Sequence, residues 1–541
     1  MSPRPRITSQ IDEIRNAVLG AVLRPLRWFS PATRFVIGFA GLSILTTLVL
    51  TPWPYSYRTI VALAVVAAVY FFIWRFLTYR STSVDLLISP ERAFALLGSA
   101  ILFESAVVRF SFVVIGAISS QSTRAPFDNP AVWTFAVPFA AAALLVRTLL
   151  DRQLSLLTGL ITAVVAGVLA PRGIPAAVYV IISSVAAAYG IKRYRERQTV
   201  TIGGLIVAAT NTVTAALFTA ITEPHFRLFD VLIAALFGFS GGLLTIVFAA
   251  GGVPINESLF GVLTDIRLLE LTNADLPVLS QLAVRAPGTN QHSHAVGQLA
   301  EDACRAIGAN GMLARVGALY HDIGKVAAPD HFVENQSGEN PHDRLRPLQS
   351  AKIITSHVTY GLRLAKEIGL PKRVTDFIPQ HHGTRTLHFF LRKAEAEAKG
   401  KEINERDFRY PGPKPQFKEA AILMLVDSAE AAARSLAQPT SENIQEIVAK
   451  IFDAVVSDGQ LDESHLTLYE LSRLREAIVN SLIAIYHPRI DYPGFNVSSG
   501  SAGDFPIQHL TYAQAADVPI NPSGEVEEEA ISWSESGKAA N

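Results

Sequence analysis

Eight stretches of this chain are apolar over the roughly 20 residues needed to cross a hydrocarbon core, and that constrains the fold more than anything else in the sequence. They lie at about 35–53, 58–78, 92–117, 130–150, 153–171, 173–191, 202–222 and 227–252. Runs such as Val61 to Trp74 and Phe135 to Val146 carry no polar stripe, so they do not read as the amphipathic helices of a soluble core. Charge divides the chain in the same place. Residues 35–251 hold 22 of the 94 formal charges, and the other 324 residues hold 72. A polytopic helical bundle followed by a soluble domain is the expected architecture, because lipid leaves no water to satisfy an open backbone.

Lysine and arginine set the expected orientation. The N-terminal segment carries Arg4, Arg6, Arg15, Arg24, Arg27 and Arg34, and every second loop is basic: Arg75, Arg80 and Arg92, then Arg147 and Arg152, then Lys192, Arg193, Arg195 and Arg197. The alternate loops carry one each, at Arg58, Arg124, Arg172 and Arg227. An even number of spans with this pattern places both termini and the soluble domain in the cytoplasm. The arginines before the first run, with no small-residue cleavage site after it, argue against a cleaved signal peptide. Segment 1–33 has Ile11, Ile14, Val18 and Leu19 at helical spacing, so an interfacial helix and a disordered leader are both open. Within the spans, Glu104 and Arg109 are expected to pair, and Asn211, Thr212 and Thr214 to hydrogen-bond between helices; an ion or ligand pocket is the alternative.

Composition excludes some classes of function. Formal net charge is zero and no long basic run appears, so a nucleic acid polymer is not an expected partner. One cysteine, Cys304, excludes an internal disulfide framework and a thiolate metal cluster.

Pro254 to Glu270 reads as a membrane-exit linker running into a helix. Amphipathic helices are then expected at about 293–309, 312–324, 347–368, 372–382, 417–436, 441–457 and 468–486, which makes the soluble half all-α. Of 13 histidines, nine fall between positions 292 and 388. The informative set is His292, His321, Asp322, His357, His381, His382 and Asp427, all on expected helices or at their ends. Imidazole and carboxylate without cysteine suit a pair of divalent ions, manganese or iron, rather than a structural zinc. Helical bundles build dinuclear centres from facing side chains. Asp322 is the candidate bridge, with His292, His321 and Asp427 around one ion and His357, His381 and His382 around the other. Adjacent helical residues point about 100° apart, so one of His381 and His382 could instead meet phosphate.

Lys325, one turn after His321 in the word HDIGK, is expected to share its face and to act on a phosphate oxygen or leaving group. His331, His342 and His388 lie in polar loop segments and read as surface or substrate-side groups. His294 is two residues from His292, a spacing that points it away, so His292 is the preferred ligand.

From Pro254 to about Tyr492 the chain resembles the cytoplasmic part of the 7TM receptors with an HD domain, a family of membrane-bound phosphodiesterases whose characterised members hydrolyse cyclic di-AMP. The matching words include LARVGALYHDIGK (313–325), ITSHV (354–358), QHHGT (380–384), DFRYPGPKP (407–415), VDSAEAAARSL (426–436) and DGQLDE (458–463). The resemblance implies that the seven residues above are the metal ligands and that Asp322 and Lys325 are catalytic. It implies cleavage of a cyclic dinucleotide to the linear form at a bacterial inner membrane; charge and motif position make Lys325, Thr384, Arg409 and Lys414 the expected contacts to the substrate's phosphates. A homodimer is compatible with it. Where members usually carry a large external domain after the first span, this chain has only Thr51 to Arg58; where they read tyrosine and histidine before the ligand histidine, it has Asn290 and Gln291.

The expected organisation is a cytoplasmic segment 1–33, a transmembrane domain 34–252, a linker helix 253–285, an HD phosphohydrolase domain 286–492 and a disordered tail 493–541. The HD-GYP cyclic di-GMP enzymes differ, since HHGT here runs into RTLHFF with no GYP word. An HD-fold di-iron oxygenase and a non-catalytic nucleotide-binding receptor are the rival readings. Oxygen consumption, or tight binding without product, would distinguish them.

Overall fold

The computed structural model describes residues 29–81, 88–191, 196–222, 227–398 and 402–486. Residues 1–28 of the N-terminal segment, the basic residues Lys192, Arg193 and Arg195, and the acidic tail lie outside them. Among the described residues there is no strand, only one isolated bridge between Thr386 and Arg409. The fold is all-α: eight candidate spans, then a helical domain.

The spans are α1 (Pro31–Leu50), α2 (Tyr57–Ser81), α3 (Pro90–Gln121), a broken fourth crossing made of α4 (Pro130–Trp133) and α5 (Ala141–Leu149), α6 (Arg152–Leu169), α7 (Gly173–Gly190), α8 (Gln198–Thr222) and α9 (Leu228–Phe260). Their outer faces are lined by large apolar side chains such as Phe72, Phe110 and Val247, each about two-thirds exposed in the bare protein (69%, 69% and 65%). A surface of that kind is stable against lipid and not against water. Inside the bundle, α8 and α9 meet through glycine. A β-carbon at Gly238 would come within 2.5 Å of the Asn211 carbonyl, and one at Gly242 within 2.2 Å of the Ala208 α-carbon. Two small residues four apart let the helices close to backbone contact, which in lipid replaces the missing hydrophobic drive.

The fourth crossing is not the single helix that its unbroken hydropathy suggests. Pro138 forces Val137 into an extended conformation, with φ −72° and ψ 132°, and the helix restarts at Ala141. That restart leaves backbone N–H groups without intrahelical acceptors. Glu104 of α3, fully buried, supplies one: its Oε2 accepts from the Ala142 N–H at 3.1 Å. The carboxylate is thus committed to the break and does not pair with Arg109 as expected. The expected interhelical hydrogen bonds of Thr212 and Thr214 are likewise replaced by bonds within their own helix, to the carbonyls of Ala208 (2.7 Å) and Thr210 (2.8 Å).

Pro254 does not begin a linker either. It lies inside α9, which continues to Phe260 and stops at Gly261 with φ 65°. The Asn256 amide donates to the Gly252 carbonyl at 2.8 Å, tying the turn around the proline. The basic loops share a side with the domain that follows. Arg80 pairs with Asp151 at 2.6 Å, and Arg197 meets Glu270 of α10 (Asp265–Glu270) at 3.4 Å.

Beyond α10 come α11 (Pro277–Arg285), α12 (Pro287–Ile307), α13 (Gly311–Tyr320), α14 (Pro347–Ile368), the short α15 (Lys372–Thr375) and α16 (Phe377–Gln380), α17 (His388–Glu397), α18 (Lys418–Arg434), α19 (Ser441–Ser457) and α20 (Leu468–Ile485). One apolar core joins them, running from Leu263 through Val316, Phe377 and Leu423 to Leu482. α18 is its axis, buried over Ala420 to Asp427, so any polar group on that segment must find an internal partner.

Candidate metal centre

Three helix ends and two helix middles deliver the histidines and acids to one place. His292 sits one turn into α12, whose Pro287 at the N-terminus needs no amide partner. α13 ends at Tyr320, four residues before its expected end, so that His321 closes the helix and Asp322 leaves it with φ −110° and ψ 15°. A 3-10 stretch, Ile323–Ala327, follows. Gly324 explains the tight turn: a β-carbon there would lie 1.8 Å from the His357 carbonyl. The bare backbone lets the HD turn press against the middle of α14, bringing Asp322 to His357. His381 and His382 follow α16, and Asp427 lies mid-way along α18.

The seven groups converge as two sets. Asp322, His357, His381 and His382 each offer a ligand atom, all within 4.8 Å of one another, and so do His292, His321 and Asp427. Asp322 joins the sets, with Oδ2 3.1 Å from His321 Nε2 and Oδ1 3.4 Å from His357 Nε2 and 3.6 Å from His381 Nε2. His321 Nε2 also lies 3.7 Å from Asp427 Oδ1. His292 Nε2 is 2.9 Å from the same Asp427 oxygen.

Whether these residues fit metal ions is answered by what their other nitrogens do. His321, His357 and His381 each donate Nδ1–H to a main-chain carbonyl one turn back, of Ala318 (2.6 Å), Ile354 (2.7 Å) and Ile378 (2.8 Å). The three Nε2 atoms and Asp322 Oδ1 are then buried with no hydrogen-bond partner. Buried acceptors left unpaired are costly, and lone pairs fixed toward a common point are what a divalent cation needs. The donor set fits.

The charges are distributed unevenly. Burial pushes His381 down to about 3, with the charge of His321 adding to it, and holds His357 and His382 below the usual imidazole range. Burial also opposes protonation of His292 and His321, but carboxylates outweigh it. Asp427 and Glu430 raise His292 to about 9, and Asp322 with Asp427 raises His321 to about 10. Asp322 is itself buried, yet His321 and Lys325 keep it well below the usual carboxylate range.

Lys325 does not face His321 as a regular helix would require. The chain has left α-helical register, and Lys325 Nζ reaches Asp322 Oδ2 and Glu334 Oε1, each at 2.8 Å, with the ammonium 4.9 Å from the Phe332 ring centre. Glu334 is steadied by the Thr289 hydroxyl at 2.8 Å. The remaining phosphate-side candidates lie together near the HHGT word. Arg409 Nη1 donates to the Thr384 carbonyl at 3.1 Å while its other nitrogen pairs with Glu405 at 2.7 Å, and Thr384 is held by Gln460. Lys414 is 3.6 Å from Asp462.

Of the other histidines, His294 and His388 are exposed, while His331 is half-buried with its Nδ1 shut away from solvent. His342 departs from its expected surface position: it is buried at 5% exposure, and its Nε2 meets the His331 carbonyl at 2.9 Å, so it ties the 335–345 segment together. Three residues near the centre were not legible as site residues. Glu430 receives the His292 Nδ1–H at 2.6 Å, Glu334 receives Lys325, and the Tyr410 ring stacks on His382 with centres 4.2 Å apart. Glu430 left a signal in lying one helical turn after Asp427, and Tyr410 in falling within the matching word DFRYPGPKP.

Comparison with known proteins finds relatives of both halves of the chain. The model of the 7TM receptor with intracellular HD hydrolase matches residues 52–264, and that of the HD domain matches residues 289–432. The cyclic-di-AMP phosphodiesterase PgpH of Bacillus subtilis is 37% identical over 402 residues, covering 73% of this chain and 56% of that protein. Its namesake in Listeria monocytogenes is 38% identical over 371 residues, covering 68% and 51%. The chain thus spans about half the length of these curated relatives. A crystal structure of the L. monocytogenes PgpH HD domain in complex with cyclic-di-AMP is 46% identical, covering 40% of this chain and 100% of that one, at a TM-score of 0.38. The chain belongs to the family of 7TM receptors with an intracellular HD hydrolase.

Proposed function

We propose that this chain is a membrane-anchored, metal-dependent phosphodiesterase that opens cyclic di-AMP to the linear dinucleotide, with two divalent ions, manganese or iron, in the centre described above. The observation that carries the reading is the gathering of the unpaired Nε2 atoms of His357 and His381 and the unpaired Oδ1 of Asp322 in one buried set, with His292, His321 and Asp427 as a second set beside it. Support for the substrate comes from the relatives, two of which are named as cyclic-di-AMP phosphodiesterases at 37% and 38% identity.

A pair of divalent cations held there would supply Lewis acidity toward the phosphate and a water acidified to near-neutral pH. The protein's own part is positioning. Asp322, in contact with both sets, would hold the ions jointly, and Lys325 fixes its orientation from behind. The imidazoles of His357, His381 and His382, kept neutral by burial, present lone pairs without first losing a proton. Arg409, Lys414 and Thr384 border the HHGT turn, where release of Arg409 from Glu405 would free a guanidinium for a phosphate. Lys325, already committed to two carboxylates, acts through Asp322 more than on substrate.

The membrane reading puts the HD domain in the cytoplasm of a bacterium, because the loops on its side carry Arg80, Arg152 and Arg197. The test is hydrolysis by the purified, metal-reconstituted full chain of cyclic di-AMP beside cyclic di-GMP. Preferential conversion of the first to a linear product supports the proposal; equal conversion removes the substrate assignment, and no conversion of either removes the enzyme.

A further inference from the structure

We infer that Glu430 is a positioning residue for one of the two ion positions and not for the other, which makes the two unequal; the inference rests on the dinuclear reading above. Each of four buried imidazoles turns Nε2 toward the centre and gives Nδ1 to a group behind it. For His321, His357 and His381 that group is a neutral carbonyl three residues back in the same chain segment. For His292 it is a carboxylate brought in by another helix, Glu430 Oε2 at 2.6 Å.

The carboxylate is built in. Glu430 is 1% exposed and lies one turn beyond Asp427 on α18, so a single helix face delivers a ligand and the group that orients its neighbour. Behind it stand the Arg434 guanidinium, in direct contact, and the Tyr486 hydroxyl at 3.4 Å, which closes the pair from α20. Such enclosure leaves the acid little freedom to turn away from His292. A carboxylate behind an imidazole fixes its tautomer and ring orientation and makes the far nitrogen a stronger donor than a carbonyl does. Among the described residues, the set of His357, His381 and His382 has no counterpart. The ion held by His292, His321 and Asp427 therefore depends on Glu430, and its neighbour does not.

The test uses the full chain, stripped of metal and titrated with Mn2+ at mildly alkaline pH, following heat and the electron paramagnetic resonance signal. Wild type is expected to take up two ions in resolvable steps and to develop the signature of a coupled pair. Glu430→Gln keeps the shape and an acceptor but removes the charge. It should weaken one step by about tenfold or more, leave the other within about twofold, and replace the pair signal by that of an isolated ion at limiting metal. Glu430→Asp, which keeps the charge on a shorter stem, should show a smaller loss in the same step, and His292→Ala should weaken that step too. Equal weakening of both steps would mark Glu430 as mere packing and overturn the inference, as would no change. A wild type that takes up one ion overturns the dinuclear reading instead; the role of Glu430 then stands only if Glu430→Gln still weakens that ion.

Discussion

Lys325 Nζ stands 2.8 Å from Asp322 Oδ2 and the same distance from Glu334 Oε1, nearly out of reach of water. Asp322 touches both ligand sets, so Lys325 clamps the carboxylate that joins them. Burial works against its charge and the two carboxylates restore it. Lys325→Met would leave Glu334 without its cation and Asp322 with only the His321 imidazolium beside it. Breaking a buried pair on one side costs about 3–5 kcal/mol. The metal-free HD domain of this variant should melt well below wild type in a thermal scan, and an unchanged transition would show that the ammonium is free.

Proton release separates the two ion sets. With His292 near 9 and His321 near 10 in the metal-free protein, both carry a proton at neutral pH, whereas burial keeps His357, His381 and His382 neutral there. Filling the His292 set should therefore expel up to two protons and gain affinity as pH rises toward 9, while the other set binds with little release. Calorimetry in buffers of different ionisation enthalpy reads this directly. The sign for stability is the reverse. A raised imidazole pKa stabilises the metal-free fold fully below its ordinary value of about 6.5 and loses that contribution as pH climbs through 9 to 10. Greater stability of the metal-free protein at the alkaline end would contradict the assignment.

Gly324 has no room for a side chain. A β-carbon would lie 1.8 Å from the His357 carbonyl, so Gly324→Ala must push the HD turn away from α14 and part Asp322 from His357. Metal uptake should fall by an order of magnitude or more, in keeping with the sensitivity of such sites to displaced ligands, with α-helical circular dichroism retained. Full uptake by this variant would mean that the turn and α14 need not touch.

Much of this could be read from the chain itself because the signals were periodic or chemical. Eight apolar runs marked the spans, and 3.6-residue patterning marked α12, α14, α18, α19 and α20. What escaped was decided by single residues acting over distance. Pro138 breaks a run whose hydropathy is continuous, and the partner that makes the break tolerable, Glu104, is 38 residues away from Ala142. Lys325 was placed by helical spacing on the face of His321, and the early end of α13 moved it to Asp322. Glu430 lies 138 residues from His292, and a glutamate on an amphipathic helix ordinarily reads as solvated surface. Tyr410 and Glu334 sit in loops, where no periodicity reports a contact.

The membrane half has its own weak point. A β-carbon at Gly242 would meet the Ala208 α-carbon at 2.2 Å, backbone that cannot yield. Gly242→Val should separate α8 from α9 and lower the detergent-solubilised protein's melting temperature by several degrees, on the order of the 1–3 kcal/mol that overpacking costs. The parallel change Gly251→Val, where nothing lies within 4 Å, should leave it alone. Equal effects would mean that α8 and α9 are not packed through Gly242.

Asp322 is the carboxylate that touches both ligand sets, and one assay shows whether turnover needs it: linear dinucleotide formed from cyclic di-AMP by the manganese-loaded full chain and by its Asp322→Ala variant, followed by chromatography. Turnover by wild type with none above background for the variant, at a preserved fold, is the predicted result. Turnover surviving in Asp322→Ala, or absent from the metal-loaded wild type, would contradict it.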